Sequence, residues 1–175
     1  MQERGAAPPL SGGSDRRPSV RRRLLLAGTV AALVIVADQW SKTWAVHRLT
    51  DGSIHVVWKL DLILTYNTGG AFSIVPGWAP VLGSLAVVLV AVLVVAIFRV
   101  NSDIAAVGLG LVVGGAIGNL ADRLFRSHHG AVVDFVAVHF WPTFNVADAS
   151  IVVGAIITGA ALWWPTRHPE PAAGS

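Results

Sequence analysis

The chain has 175 residues, 54% of them apolar and only 13% charged, with a mean hydropathy of +0.63. A soluble domain carries about a quarter charged residues, so this chain lacks the polar surface to stand in water, and a bilayer is the solvent it fits. The net charge of +3 does not signal nucleic acid, because six of the 13 basic residues (Arg4, Arg16, Arg17, Arg21, Arg22 and Arg23) precede the first apolar run, the juxtamembrane pattern that suits anionic lipid headgroups. With no cysteine in the sequence, thiol nucleophiles, disulfides and thiolate-held metals are excluded.

Residues 1–20, rich in Pro, Gly, Ser and Arg, read as a disordered cytoplasmic tail. Arg21-Arg22-Arg23 and the leucines after them resemble the start of a signal peptide. The apolar run continues to Val46 without a small-x-small cleavage site, however, and three more runs follow, so it is read as a retained helix. At about 20 apolar residues per crossing, four helices are expected, at about 24–46, 79–98, 104–120 and 145–164, with Pro80 suited to a first helical turn. They define a membrane-embedded domain over 21–166, followed by a short cytoplasmic tail, 167–175. The Gly- and Ala-rich third helix suits close helix packing.

Between the first two helices, Ile54–Trp58 and Leu60–Tyr66 are rich in β-branched and aromatic residues, with turn residues at Asp51-Gly52 and Asn67–Gly70. The expected fold is therefore a four-helix transmembrane bundle with a small antiparallel sheet between helices 1 and 2, lying on the outer membrane surface. The arginines orient it. Arg4, Arg16, Arg17, Arg21, Arg22, Arg23, Arg99 and Arg167 fall on one side, and Lys42, Arg48, Lys59, Arg123 and Arg126 on the other. Eight against five places both termini in the cytoplasm.

Ionisable groups in membrane helices are costly, and they mark function when they converge. Asp38 and Lys42, then Asn119, Asp122 and Arg123, then Asn145 and Asp148 all fall near the outer ends of three helices. Each group also has a structural reading. Asp38 and Lys42, four apart, share a face and form an ion pair; Arg123 neutralises Asp122 in a network that holds the outer loop; Asn145 and Asp148 cap a helix start. Asp134 is different, because it sits in the apolar run Ala131–Val136 with no basic residue nearby, where desolvation raises a carboxyl pKa. Set near Asp148, whose place in a first helical turn favours the ionised form, it completes an arrangement for shared-proton chemistry: one acid activates water while the other protonates a carbonyl. Asp122 is a third candidate for this pair. The histidines are scattered or, at His128-His129, adjacent on different faces, and no metal site is expected. A small ion-coupled transporter would use the same acids as a relay, and such proteins carry internal repeats and broken helices near the midplane, but here the acids cluster at one membrane face and the second and third helices lack mid-span charge.

Five segments resemble the lipoprotein signal peptidases (signal peptidase II). Asp38-Gln39-Trp40-Ser41-Lys42 resembles that family's D-Q-x-S/T-K box, and Asn67-Thr68-Gly69-Gly70-Ala71-Phe72 its N-x-G-x-A-F segment. Residues Gly114 to Arg123 resemble its G-G-A-x-G-N-x-x-D-R block, and Val132-Val133-Asp134-Phe135 and Phe144–Asp148 its V-V-D-F and F-N-x-A-D boxes. The resemblance implies an aspartic endopeptidase of the bacterial cytoplasmic membrane, without a cofactor. Its reaction would be removal of the signal peptide from prolipoproteins before their diacylglyceryl-modified cysteine, at a site near the outer face. It implies Asp134 and Asp148 as the catalytic pair, with Asp38, Lys42, Asn67, Gly69, Asn119, Asp122, Arg123 and Asn145 binding substrate or bracing the site. It further implies contact with membrane lipid and inhibition by globomycin-type cyclic peptides; a monomer is expected. Gly70 stands where the family commonly has alanine, the N-terminal tail is long, and the spacing from Asp134 to Asp148 is short.

Overall fold

A computed structural model describes residues 19–68, 79–126 and 130–163. The 1–18 tail, Gly69 to Phe72, His128-His129, Trp164 and the 167–175 tail lie outside these described residues. The elements run α1 (Val20–Leu49), β1 (Ile54–Val57), β2 (Leu60–Asn67), α2 (Ala79–Arg99), α3 (Asp103–Phe125), β3 (Val132–Val138), β4 (Trp141–Phe144) and α4 (Val146–Trp163). Among the described residues, α1, α3 and α4 are each long and apolar enough to cross a membrane, and α2 carries no charge before Arg99.

Helix α3 is central, packed between α1 and α4, with α2 alongside. On α1 the buried residues Arg23, Ala27, Ala31, Val34, Asp38, Lys42, Ala45 and Leu49 recur every three or four positions, one stripe of the helix, and small residues of α3 meet it. A Cβ on Gly110 would stand 2.7 Å from the Ala27 carbonyl oxygen, and one on Gly118 would stand 2.6 Å from Asp38 Oδ2. On the other flank of α3, a Cβ on Gly115 would collide with the Ala147 carbonyl. Glycine is required here because backbone and carboxylate approach closer than any side chain allows. At the opposite end of α1, Arg22 pairs with Asp103 at 3.1 Å and Arg23 donates to Asn101 Oδ1 at 3.1 Å, so the start of α1 is tied to the turn between α2 and α3.

At 30 residues, α1 is about 45 Å long, longer than a hydrocarbon core of about 30 Å. Its last turns, Ala45 and Leu49, pack with Phe135, Leu62, Leu64 and Val136 and so support a sheet at the end of the bundle. The expected small antiparallel sheet is present, but it is not confined to the connection between α1 and α2: it has four strands, in the order β1-β2-β3-β4, all antiparallel. The second pair comes from the connection between α3 and α4. The run that isolates Asp134 is strand β3, which pairs Thr65 with Asp134 and Asn67 with Val132. Its β-branched and aromatic residues favour an extended, half-buried surface. The hairpins are also tied at their exposed faces, where His55 and His139 both bond Asp61, at 2.6 and 3.0 Å; these two contacts hold the Asp61 carboxyl below the usual carboxylate range.

Candidate active site

Four elements meet where α3 gives way to β3. Helix α1 brings Asp38, Gln39 and Lys42; α3 brings Asn119 and Asp122; β3 brings Asp134; and Asn145 with the first turn of α4 brings Asp148. Asp38, Lys42, Asp122, Asp134 and Asn145 are all buried, and Asp148 is half-buried.

Local sequence sets the α4 corner. Asn145 Oδ1 accepts from the Asp148 backbone N–H at 2.9 Å, and Asp148 Oδ2 accepts from the Asn145 backbone N–H at 3.2 Å. This is a reciprocal cap built from an amide and a carboxylate three residues apart. The cap leaves the amide nitrogen of Asn145 free to turn inward. Asn145 Nδ2 donates to Asp134 Oδ1 at 2.7 Å and lies 3.2 Å from Asn119 Oδ1. Asn119 Nδ2 in turn donates to Asp148 Oδ1 at 2.8 Å. The two carboxylates are therefore joined through a chain of two amides, Asp134 to Asn145 to Asn119 to Asp148. From the sheet, Asn67 Nδ2 donates to Asp134 Oδ2 at 3.0 Å.

Beneath these residues lies a network of charges. Lys42 Nζ is 2.8 Å from Asp38 Oδ2 and 3.0 Å from Asp122 Oδ2, and it donates to Asn119 Oδ1 at 2.9 Å. Asp122 accepts from four donors: Lys42, Arg126 Nε at 2.8 Å, Gln39 Nε2 at 3.0 Å and the Val133 backbone N–H at 3.1 Å. Asp38 Oδ1 accepts from the Ala147 backbone N–H at 3.0 Å.

This arrangement corrects one assignment and adds two residues. The partners of Asp122 are Lys42 and Arg126, not Arg123. Arg123 follows Asp122 directly and so points about 100° around the helix, whereas Arg126, four residues on, shares its face. Arg123 NH1 instead donates to the Asn119 carbonyl at 3.3 Å, and its buried Nε has no hydrogen-bond partner among the described residues. Gln39 bridges Asp38, Asp122 and the Gly118 carbonyl; its place beside Asp38 was the available signal. Gly69 lies outside the described residues. Among those described, no group of three or more His, Asp or Glu side chains is set to hold a metal ion.

Burial pushes the Asp134 carboxyl up to about 6 from 3.8; the nearby Asp148 charge pushes the same way, and the bonds from Asn67 and Asn145 oppose it. Between those two values the folded protein holds a proton that the unfolded chain has released. Folded stability should therefore fall as pH rises from about 4 to about 6 through this group. Asp134→Asn removes the titration, so its thermal midpoint relative to the parent should climb across that interval and level off above about pH 7. A constant difference from pH 4 to 8 would show that Asp134 is not perturbed.

A family model described as signal peptidase (SPase) II matches residues 30–164 of the chain. A lipoprotein signal peptidase of Mycolicibacterium smegmatis is 38% identical over 190 residues, covering 98% of this chain and 81% of its own length. The lipoprotein signal peptidase of Rhodococcus jostii is 43% identical over 155 residues, covering 84% of this chain and 77% of its own. Among solved structures, a bacterial membrane enzyme determined by the in meso method at 1.9 Å resolution superposes with a TM-score of 0.71. It is 26% identical, over 80% of this chain and 94% of that one.

Proposed function

The chain belongs to the signal peptidase II family, a family of membrane peptidases, and from that premise we propose that Asp134 and Asp148 are its catalytic pair, acting on diacylglyceryl-modified prolipoproteins at the outer face of the bacterial cytoplasmic membrane. The observation that carries this reading is the amide chain, Asn145 on Asp134 and Asn119 on Asp148 with the two amides bonded to each other, that links two carboxylates with different surroundings, Asp134 buried in a strand and Asp148 half-buried in a capped helix start. Two acids so held act as a unit on a water and a carbonyl. Asp148 takes the proton of the attacking water, while Asp134, raised toward neutrality, protonates the scissile carbonyl oxygen; the tetrahedral adduct then collapses as Asp148 passes its proton to the leaving nitrogen of the lipidated cysteine and a hydroxyl of the adduct returns one to Asp134. No step requires a cofactor.

The substrate enters from lipid with its acyl chains in the bilayer, so that its scissile bond, just outside the signal helix, meets the dyad. Asp38, Lys42, Asn119, Asp122 and Asn145 brace the site from below. Asn67 and Arg123 line it, and the family resemblance adds Gly69 of the same N-x-G-x-A-F segment to the residues that bind substrate or brace the site. Cyclic peptides of the globomycin type would occupy this same space, and the enzyme acts as a monomer. The experiment is cleavage by purified protein in vesicles. The reading expects the diacylglyceryl-modified precursor to be cut, the unmodified precursor to survive, and globomycin to block the reaction. Equal cleavage of both precursors would remove the lipid from the recognition.

The topology that accompanies this reading is four crossings by α1 to α4, with both termini cytoplasmic and the sheet outside, supported by the distribution of arginines. Because the chain has no cysteine, single replacements test it cleanly. In intact cells, Trp58→Cys should react with a membrane-impermeant maleimide from outside, and Ser19→Cys should react only after permeabilisation. The reverse labelling would invert the protein.

A further inference from the structure

Resting on the dyad reading above, we propose that the buried Asp38–Lys42–Asp122 cluster sets the spacing of Asp134 and Asp148, with Lys42 as the positioning residue at its centre. The three side chains are wholly inaccessible, at 0% exposure each. Nothing in helix packing calls for them, since apolar residues of similar volume serve a buried interface as well or better. What distinguishes the cluster is where its arms end.

Asp122 grips the backbone N–H of Val133, the residue before Asp134. Asp38 grips the backbone N–H of Ala147, the residue before Asp148. The segments that carry the two acids thus hang from two carboxylates on different helices, α1 and α3, and one ammonium joins those carboxylates. Withdraw the ammonium and two like charges face each other across the α1–α3 contact, which pushes apart the anchors of β3 and α4.

A third arm acts on orientation. The ammonium of Lys42 only donates, so Asn119 must turn its oxygen to it, at 2.9 Å. The amide nitrogen of Asn119 is thereby committed to Asp148, at 2.8 Å. Lys42 therefore fixes which way a flippable amide points into the dyad. Gly118 keeps this arrangement tight, because a methyl there would meet Asp38 Oδ2 at 2.6 Å.

The test is steady-state kinetics per folded molecule, with a diacylglyceryl-modified precursor peptide in phosphatidylglycerol vesicles. Lys42→Met keeps length and volume but removes the charge. It should lower kcat by about 10²-fold, the scale set by displacing a reacting group by an ångström, while KM stays within about threefold of the parent. A merely structural lysine would lower the amount of folded protein and leave kcat per folded molecule unchanged, and that result would overturn the proposal. So would a change confined to KM. If Lys42→Met does not fold, Asp38→Asn is read instead: it retains an oxygen for the Ala147 N–H and removes one charge. It should lower kcat by roughly tenfold with KM unmoved, and a parent-like kcat again overturns the proposal. Asp134→Asn, assayed alongside, separates the two levels. An active Asp134→Asn enzyme removes the dyad, and this inference with it. An inert Asp134→Asn beside parent-like Lys42→Met and Asp38→Asn removes the inference alone.

Discussion

Asp134→Asn and Asp148→Asn are each expected to lower the rate of prolipoprotein cleavage by on the order of 10⁴-fold, a loss of the size seen when one member of a catalytic unit is removed, with the protein still folded in the membrane. Asparagine keeps the shape of each side chain and an oxygen for one of the amides that hold it. At position 134 it cannot supply an acidic proton to the scissile carbonyl. At position 148 it cannot take the proton of the attacking water. The measurement is product formation against time for each purified variant, normalised to folded protein. Since burial already holds the Asp134 carboxyl near neutrality, glutamate at that position is no safe conservative control: an extra methylene moves the acid in a strand whose register is set by Thr65 and Asn67. An Asp134→Asn enzyme that still cleaves would move the chemistry to Asp122.

Asp122, however, is occupied. Its two oxygens accept from Lys42, Arg126, Gln39 and the Val133 backbone, which leaves no free position for water or substrate. The second large effect follows from that saturation. Asp122→Ala strands the Lys42 ammonium with one carboxylate, removes the carboxylate from Arg126 Nε, and leaves the buried Val133 N–H without an acceptor. Removing one partner from a buried charge network costs about 3–5 kcal/mol, enough to unfold many domains of marginal stability. Asp122→Ala should therefore accumulate poorly and unfold at a much lower temperature in mild detergent, whereas Arg123→Ala, whose side chain does not bond Asp122, should unfold close to the parent. An Asp122→Ala protein as stable as the parent would mean that the cluster carries no structural weight.

Much of this architecture was legible because a bilayer imposes simple demands. Uninterrupted apolar stretches gave the helical segments, and the few polar residues left within them drew attention to Asp38, Lys42, Asn119, Asp122, Asn145 and Asp148. The i, i+4 spacing of Asp38 and Lys42 anticipated their ion pair at 2.8 Å, and the spacing of Asn145 and Asp148 anticipated the cap. Strand β3 was missed for a physical reason. Ala131–Val136 is a short apolar run, and such a run has no periodicity that tells a buried strand from a loop crossing an apolar surface. Its partner, β2, lies 67 residues earlier at the Asn67–Asp134 contact, beyond the reach of local pattern. The pairing of Asp122 with Arg126 was available from helical geometry, but adjacency in sequence drew the assignment to Arg123. Lys42 was legible as an ion-pair and bracing residue, but what its partners hold was not. That the groups it joins hold the backbone just ahead of Asp134 and Asp148 is a fact of tertiary structure, made by α1 crossing α3 at Gly118.

If two acids direct a water molecule onto the peptide bond, isotope placement in one turnover reveals it most directly. Excess purified protein in vesicles made up in ¹⁸O-water should cut a diacylglyceryl-modified precursor just before its lipidated cysteine. Mass spectrometry should then find one ¹⁸O in the new carboxylate of the released signal peptide and none in the enzyme. Label in the side chain of Asp134 or Asp148 would mean that an aspartate attacks the carbonyl itself, and the water-directing dyad would be wrong.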